Sequence, residues 1–371
     1  MARKRPLRSA GTVVVCEHTS KVLADNPLGD PHVRKLAVWL PPQYDEASDA
    51  GRGRRFPVLY DLVGFTGSGL AHVGWKPFGD NVAERAARLV HERKMGPAIL
   101  VFPDCFTCLG GNQYVNSPAI GNYADYLTRE IIPFVDREFR TLPDRAHRGC
   151  FGKSSGGYGA IIHGMRYPQH WGAIADHSGD AYFDFVYRHD WPNTLNELAK
   201  YREPKRRAGA YDALAEASRN GLARGDDDGR VRRFLAAMWG KEKLTQAEGH
   251  AIMNVCMAAT YDPDPRAPLR FRLPFHLETG ELIAARWKRW LRHDPIHLVR
   301  RHARELRSLR GIYIDCGWRD QYHIHYGTRI LSQRLAAAGI RHTYEEFDDN
   351  HSDIDYRMNV SLPFLYHALK P

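Results

Sequence analysis

Residues 149–159 read Gly149-Cys-Phe-Gly-Lys-Ser-Ser-Gly-Gly-Tyr-Gly159 and contain a Gly-x-Ser-x-Gly core from Gly152 to Gly156. This pattern is typical of a sharp turn from a strand into a helix, with the serine, here Ser154, exposed at its tip. Glycine is needed two residues before and after the serine, because a Cβ atom there would collide with the neighbouring strand or helix. Ordinary Gly/Ser loops show the same pattern, so it predicts a nucleophile only if a base and an acid follow.

An acid and a base do follow the serine, in the order that this chemistry needs. The segment Arg310–Asp320 predicts an apolar strand that ends in a glycine-containing turn carrying Asp320. The segment Thr343–Ser352 predicts a short strand followed by a loop that carries His351. A nucleophile, an acid and a histidine in this chain order, each on a loop after a strand, are typical of the α/β-hydrolase fold. The sequence therefore predicts a catalytic triad of Ser154, Asp320 and His351.

The residue types of this triad match the roles that ester chemistry requires. A serine hydroxyl becomes a good nucleophile only when a base takes its proton, which is the role predicted for His351. Asp320 would hold the imidazole in one tautomer and stabilise the imidazolium as it forms. Asp180 follows another predicted strand and is an alternative acid, although the position after the later strand favours Asp320.

Backbone N–H groups must also bind the negative charge that develops on the carbonyl oxygen. We expect one from Ser155, directly after the nucleophile. We expect the other from Phe65, because Pro57–Gly67 predicts an apolar strand that runs into a glycine-rich turn. The alternative for this segment is a plain turn at the end of a strand.

Four motifs carry a family resemblance, and they lie at Leu62–Thr66, Gly152–Ala160, Ile314–Tyr322 and Asn350–Ser352. In them the chain resembles the putative-esterase group of α/β-hydrolases, which includes S-formylglutathione hydrolase, enterochelin esterases, feruloyl esterases and mycolyltransferases. The resemblance covers most of residues 11–180 and 295–371. It implies that the aspartate before Gln321 is the acid, hence Asp320 rather than Asp315.

The order of predicted elements indicates the architecture. Alternating strand and helix patterns over residues 11–180 predict a mostly parallel central sheet with helices on both faces. Residues 181–295 show almost no strand signal and predict helices at Asn193–Tyr201, Tyr211–Arg219, Val231–Trp239, Leu244–Ala259 and Leu282–Leu291. We therefore expect a hydrolase core of residues 1–180 and 296–371, and a helical cap insertion over residues 181–295.

Substrate contacts are expected from two loops beside the predicted nucleophile. The loop Pro103–Ser117 is polar and aromatic, and it follows a strand on the side where this fold builds its site. The candidates for substrate binding are Gly64, Asn112, Gln113, Tyr114 and Asn116.

Two short motifs could bind a metal, but neither has partners at the right spacing. Cys105-x-x-Cys108 lacks a second cysteine pair, so two incidental thiols on a loop are the better interpretation. His323-x-His325 has no obvious carboxylate or thiol partner and is more typical of a surface or pocket wall. The sequence predicts no metal and no cofactor.

The composition is that of a globular enzyme, since 43% of the 371 residues are hydrophobic and 26% are charged. No apolar run approaches the ~20 residues that span a bilayer, and no membrane partner is expected. The basic N-terminus lacks the apolar region of a secretory signal, which favours a cytoplasmic location. The formal net charge is +10, but basic residues are scattered among acids without a nucleic-acid motif, so solvated basic helix faces are expected rather than nucleic-acid binding.

We therefore expect a serine carboxylic-ester hydrolase that acts on a small or medium ester through an acyl-enzyme intermediate. One alternative is acyl transfer to an alcohol or thiol by the same triad. Another is a non-catalytic binding protein that keeps the fold. An aromatic helix of the insertion is a candidate surface for a homodimer.

Overall fold

The fold is built on an eight-stranded, mostly parallel sheet. The structure, a computed structural model, describes residues 10–45, 53–203 and 227–371. The strands are β1 (Thr12–Thr19), β2 (Val33–Leu40), β3 (Val58–Leu62), β4 (Ile99–Pro103), β5 (Asn116–Ser117), β6 (Gly121–Asn122), β7 (Arg148–Lys153), β8 (Ala173–His177), β9 (Gly311–Gly317) and β10 (Thr343–Phe347). The sheet order is β1-β2-β4-β3-β7-β8-β9-β10, and β5 and β6 form a separate hairpin.

Strand direction and burial follow from the position of each strand in the sheet. In the sheet order from β4 to β10, every pair of neighbouring strands is parallel. Strand β2 is antiparallel to both of its neighbours, β1 and β4. Every residue of β3, β4 and β8 is buried, as expected for parallel strands that are covered on both faces. The edge strand β1 leaves Val13 and Val15 exposed. Sequence analysis did not predict β1.

Helices cover both faces of the sheet. In chain order they are α1 (Val82–His91), α2 (the consecutive segments Tyr123–Asp125, Tyr126–Ile131 and Ile132–Glu138), α3 (Ser155–Arg166), α4 (Phe183–Val186), α5 (Trp191–Ala199), α6 (Arg230–Trp239), α7 (Gln246–Tyr261), α8 (Ala284–Trp290), α9 (Pro295–Leu298), α10 (Ala303–Arg307), α11 (Ile324–Ala337) and α12 (Met358–Leu369). On one face α3 packs against β3, β7 and β8. On the other face α1 and α12 contribute to a second apolar cluster that includes Leu59 and Tyr313.

Where the structure describes it, the segment between β8 and β9 consists of helices joined by turns, and its β structure is limited to isolated bridges. The predicted helices correspond to α5, α6, α7 and α8, whereas the one predicted at Tyr211–Arg219 lies outside the described residues. Phe234 and Val255 of this insertion belong to the same buried cluster as Val58 of the sheet. The Ser117 hydroxyl also donates to the Ala259 carbonyl at 2.6 Å. The insertion is thus packed on the core, and its division from the core as a cap stays a prediction.

Candidate active site

Ser154 lies at the tip of the turn between β7 and α3, with φ 57° and ψ −123°. A non-glycine residue in such a backbone conformation costs about 1–3 kcal/mol, and strain of this kind is concentrated at functional sites. Gly152 and Gly156 permit the turn, because a Cβ atom at either position would overlap the carbonyl oxygen of Leu62. The predicted strained turn with an obligatory glycine on each side of the serine is therefore present.

Asp320 and His351 form a hydrogen-bonded pair. Asp320 follows β9, His351 follows β10, and these parallel neighbours end at the same edge of the sheet. His351 Nδ1 lies 2.7 Å from Asp320 Oδ2. The Asp320 side chain is fully buried and that of His351 is 10% exposed. Such a pair places the histidine proton on Nδ1 and leaves the Nε2 lone pair free to accept a proton.

The loop after β9 fixes both members of this pair. The Tyr322 N–H donates to Asp320 Oδ1 at 2.8 Å. The His351 N–H donates to Gln321 Oε1 at 2.9 Å. The Tyr322 ring also packs edge-on against the His351 imidazole, with 4.8 Å between ring centroids. Sequence analysis assigned no role to Gln321 or Tyr322, although their positions directly after Asp320 were the available signal.

The two predicted oxyanion donors, Ser155 and Phe65, belong to segments that adjoin Ser154. Ser155 is the first residue of α3, where a backbone N–H has no partner within the helix. The turn after β3 lies against Ser154, since a Cβ atom at Gly64 would be 3.6 Å from Ser154 Cβ. The turn itself is braced by hydrogen bonds from Thr66 N–H to the Gly110 carbonyl and from Gly67 N–H to the Gly64 carbonyl. This places Phe65 within a rigid turn next to Ser154.

The other predicted substrate contacts make hydrogen bonds within the protein. Asn112 is buried and donates to the Cys105 carbonyl. The Tyr114 hydroxyl donates to the Val63 carbonyl at 2.8 Å. Asn116 lies in the β5–β6 hairpin and pairs with Asp125. A role of these side chains in substrate binding stays a prediction.

Gln113 joins Asp180, the alternative acid, in a buried polar cluster. Gln113 Nε2 lies 2.8 Å from Asp180 Oδ2, 3.1 Å from the Tyr187 hydroxyl and 3.0 Å from the Tyr261 hydroxyl. The Tyr187 hydroxyl also donates to Asp180 Oδ2 at 2.8 Å. Burial raises the pKa of Asp180, while the hydrogen bonds from Gln113 and Tyr187, together with the proximity of His351, act in the opposite direction. Asp180 is thus near the site, whereas the carboxylate in contact with His351 Nδ1 is Asp320.

A serine, a histidine and an aspartate of the interior form a hydrogen-bonded set. His177 Nδ1 lies 2.6 Å from Asp315 Oδ1, and His177 Nε2 lies 2.8 Å from the Ser361 hydroxyl. These three residues are at most 1% exposed. Ser361 lies inside α12 rather than on a strained turn, and Asp315 also binds Arg357 at 2.8 Å. No substrate can reach this set, so its role is structural.

Of the motifs considered for metal binding, Cys105 and Cys108 lie in the loop after β4, whereas His323 and His325 lie at the start of α11. Burial raises the pKa of the free thiols Cys105 and Cys108, that of Cys108 to about 12, which makes both unreactive at neutral pH. His323 lies on the wall of a cavity of about 940 Å³ together with His189 and Trp191. Across the described ranges no cluster of three His, Cys, Asp or Glu side chains is arranged to hold a metal ion.

Comparison with known proteins identifies the family. The sequence pattern of the family described as "Putative esterase" matches residues 31–361. The chain belongs to this family. Its sheet and helices form an α/β-hydrolase fold. Residues 10–45, 53–203 and 227–371 contain no helix long and apolar enough to cross a membrane.

Individual relatives agree with this assignment at different levels of similarity. Esterase Rv1288 of Mycobacterium tuberculosis is 31% identical over 153 residues, which is 39% of this chain and 28% of the relative. The chain thus matches less than a third of that relative's length. A ferulic acid esterase has a TM-score of 0.57 at 18% identity, covering 98% of this chain and 100% of that one. An S-formylglutathione hydrolase from Agrobacterium tumefaciens has a TM-score of 0.54 at 17% identity, covering 99% and 98%. The two structures share the fold with this chain.

Proposed function

We propose that the protein is a serine esterase, that Ser154, His351 and Asp320 form its catalytic triad, and that the reaction passes through an acyl-enzyme. The observation that carries the proposal is the buried contact of 2.7 Å between His351 Nδ1 and Asp320 Oδ2. It lies at the sheet edge where Ser154 holds its strained conformation. Burial keeps water from competing for the Asp320 carboxylate, so the hydrogen bond to His351 persists.

In the acylation step, the Ser154 oxygen forms a bond to the ester carbonyl carbon while its proton passes to His351 Nε2. Asp320 stabilises the imidazolium that results. The N–H groups of Phe65 and Ser155 hold the oxyanion, which is the largest single contribution in many enzymes of this kind. The tetrahedral species collapses when the bond to the alcohol oxygen breaks and His351 returns the proton to that oxygen.

In the deacylation step, water repeats the attack on the acyl-enzyme. His351 takes a proton from the water as its oxygen bonds to the acyl carbon. The bond to the Ser154 oxygen then breaks, and His351 gives the proton back to Ser154. The products are one alcohol and one carboxylic acid, and the enzyme is regenerated.

The test uses two serine-to-alanine variants, one in each Ser-His-Asp arrangement. We expect Ser154→Ala to lose at least about a thousandfold in kcat/KM on a p-nitrophenyl ester series, and to lose fluorophosphonate labelling. We expect Ser361→Ala to keep both, because Ser361 is inaccessible. The chain length that wild type prefers will show whether the ester is small or medium.

The proposal fails if Ser154→Ala keeps its activity and labelling while remaining folded. It also fails if labelling is lost in Ser361→Ala instead. Product formation that requires an added alcohol or thiol acceptor would replace hydrolysis by acyl transfer as the principal reaction.

A further inference from the structure

A line of contacts joins the helical insertion to the catalytic histidine. It starts at Tyr322, whose ring plane is inclined at 75° to the His351 imidazole with 4.8 Å between centroids. The Tyr322 hydroxyl lies 3.4 Å from Nε2 of His250, a residue of α7. The ring centroids of Tyr322 and His250 are 5.6 Å apart. An insertion side chain thus reaches the ring that touches His351.

His250 is itself held by a buried carboxylate. His250 Nδ1 lies 3.4 Å from Asp190 Oδ1, and the Asp190 side chain is only 3% exposed. Asn193 donates to the same oxygen at 3.0 Å. Burial alone would raise the pKa of Asp190, but the contacts with His250 and Asn193 lower it. Asp190 therefore stays ionised and fixes the orientation of the His250 ring.

We propose that His250 is a positioning residue that acts through Tyr322 on His351, so that the insertion takes part in orienting the catalytic base. The proposal rests on the proposed function of His351. The bond to Asp320 fixes His351 at Nδ1 but leaves the ring free to tilt about that contact. The Tyr322 ring restricts this tilt, and the contact of its hydroxyl with His250 restricts the Tyr322 side chain in turn. Nε2 then stays directed at the serine.

A purely structural role would produce different kinetics. If the contact only helps to pack α7 on the core, removing it would lower stability and leave the rate of the folded enzyme unchanged. If it acts through Tyr322, then kcat falls, KM stays constant, and the effects of His250 and Tyr322 substitutions are not additive. Residues that share one line of contacts show such coupling.

The experiment is a double-mutant cycle of His250→Ala and Tyr322→Phe in the full chain, with p-nitrophenyl acetate as substrate. We expect each single variant to lose about five- to tenfold in kcat with KM changed less than twofold, the effect of losing an ordinary hydrogen bond. The double variant should be no slower than the slower single variant. His250→Gln, which can still hydrogen-bond to the Tyr322 hydroxyl, should recover at least half of the wild-type kcat.

Thr245→Ala is the matched control for damage to the same helix. Thr245 caps α7 by accepting a hydrogen bond from the Glu248 N–H, so its loss loosens the helix without removing His250. We expect its kcat to be that of wild type. Multiplicative effects of His250→Ala and Tyr322→Phe, or a rise in KM with unchanged kcat, would overturn the inference. If Ser154→Ala is inactive, those outcomes would contradict the role of His250 but not the proposed triad. The two proposals can therefore be refuted independently.

Discussion

Replacing Asp320 by asparagine changes one atom of the site, and the contacts of Asp320 fix the direction in which the new amide must face. Oδ1 accepts the Tyr322 N–H at 2.8 Å and Oδ2 faces His351 Nδ1 at 2.7 Å. The amide oxygen must keep the Tyr322 contact, since an NH₂ group there would oppose another donor. The NH₂ group therefore faces His351 and forces its proton onto Nε2. In that tautomer Nε2 carries the proton, so it has no lone pair to receive the proton of the serine.

The expected loss is large because the base is present but in the wrong tautomer. Loss of the carboxylate of a Ser-His-Asp triad with preserved geometry lowers kcat by about ten-thousandfold. At about 1.36 kcal/mol for each factor of ten, this is about 5 kcal/mol of transition-state stabilisation. The assay is kcat/KM for p-nitrophenyl acetate between pH 7 and 9, with a thermal melt to show that the variant is folded.

Asp180→Asn is the matched control, because Asp180 is the other carboxylate near His351. Its Oδ2 accepts hydrogen bonds from Gln113 and Tyr187 rather than from a catalytic group. We expect its kcat/KM to fall less than about tenfold, since the substitution leaves the His351 tautomer unchanged. The reasoning is refuted if Asp320→Asn keeps more than a tenth of wild-type activity, or if Asp180→Asn shows the ten-thousandfold loss.

Two further predictions concern stability, and urea unfolding measures both. Gly156→Ala should lower the free energy of unfolding by about 3 kcal/mol, because the new methyl group overlaps the Leu62 carbonyl. Gly249→Ala, at a helical position with open space around it, should raise the free energy of unfolding by up to about 1 kcal/mol. If Gly156→Ala and Gly249→Ala change this free energy equally, the packing argument is wrong. Burial lowers the pKa of His163 from 6.5 to about 4, so the unfolded chain binds more protons below pH 6.5. Between pH 7 and pH 5, the free energy of unfolding should therefore fall by about 2 kcal/mol more in wild type than in His163→Gln. The glutamine amide can still donate a hydrogen bond to the Tyr114 carbonyl. If the free energies of both proteins fall in parallel with pH, His163 is not the cause.

The strained turn could be predicted because its signal is local. A Cβ atom at position 152 or 156 would overlap the same Leu62 carbonyl oxygen, so both positions require glycine. The sequence shows this requirement as two glycines at a fixed distance from the serine. The pairing of Asp320 with His351 could be predicted because each residue lies in the loop that follows a strand. Tertiary proximity then follows from parallel pairing of the two strands.

The remaining features depend on contacts that local sequence does not encode. Gln113 and Tyr114 both adopt φ 55°, a left-handed conformation that turns their side chains into hydrogen bonds within the protein. The sequence there shows only a polar, aromatic loop. Helix α12 was also not predicted, because Pro363 inside it weakens the helical pattern of the sequence. The approach of His250 to Tyr322 joins residues 72 positions apart and has no sequence signal.

A comparison of the proposed triad with the buried set of Ser361, His177 and Asp315 shows why residue identity is not enough to make a nucleophile. His177 is within 2.8 Å of both its serine and its aspartate, a complete hydrogen-bonded set. Yet Ser361 lies within a helix and is wholly buried, whereas Ser154 is partly exposed in a conformation that costs about 1–3 kcal/mol. The rest of the fold must offset that cost. The neighbours of β7 in the sheet, β3 and β8, are buried at every residue. Strain and access, rather than the three residue types, therefore distinguish the site at Ser154.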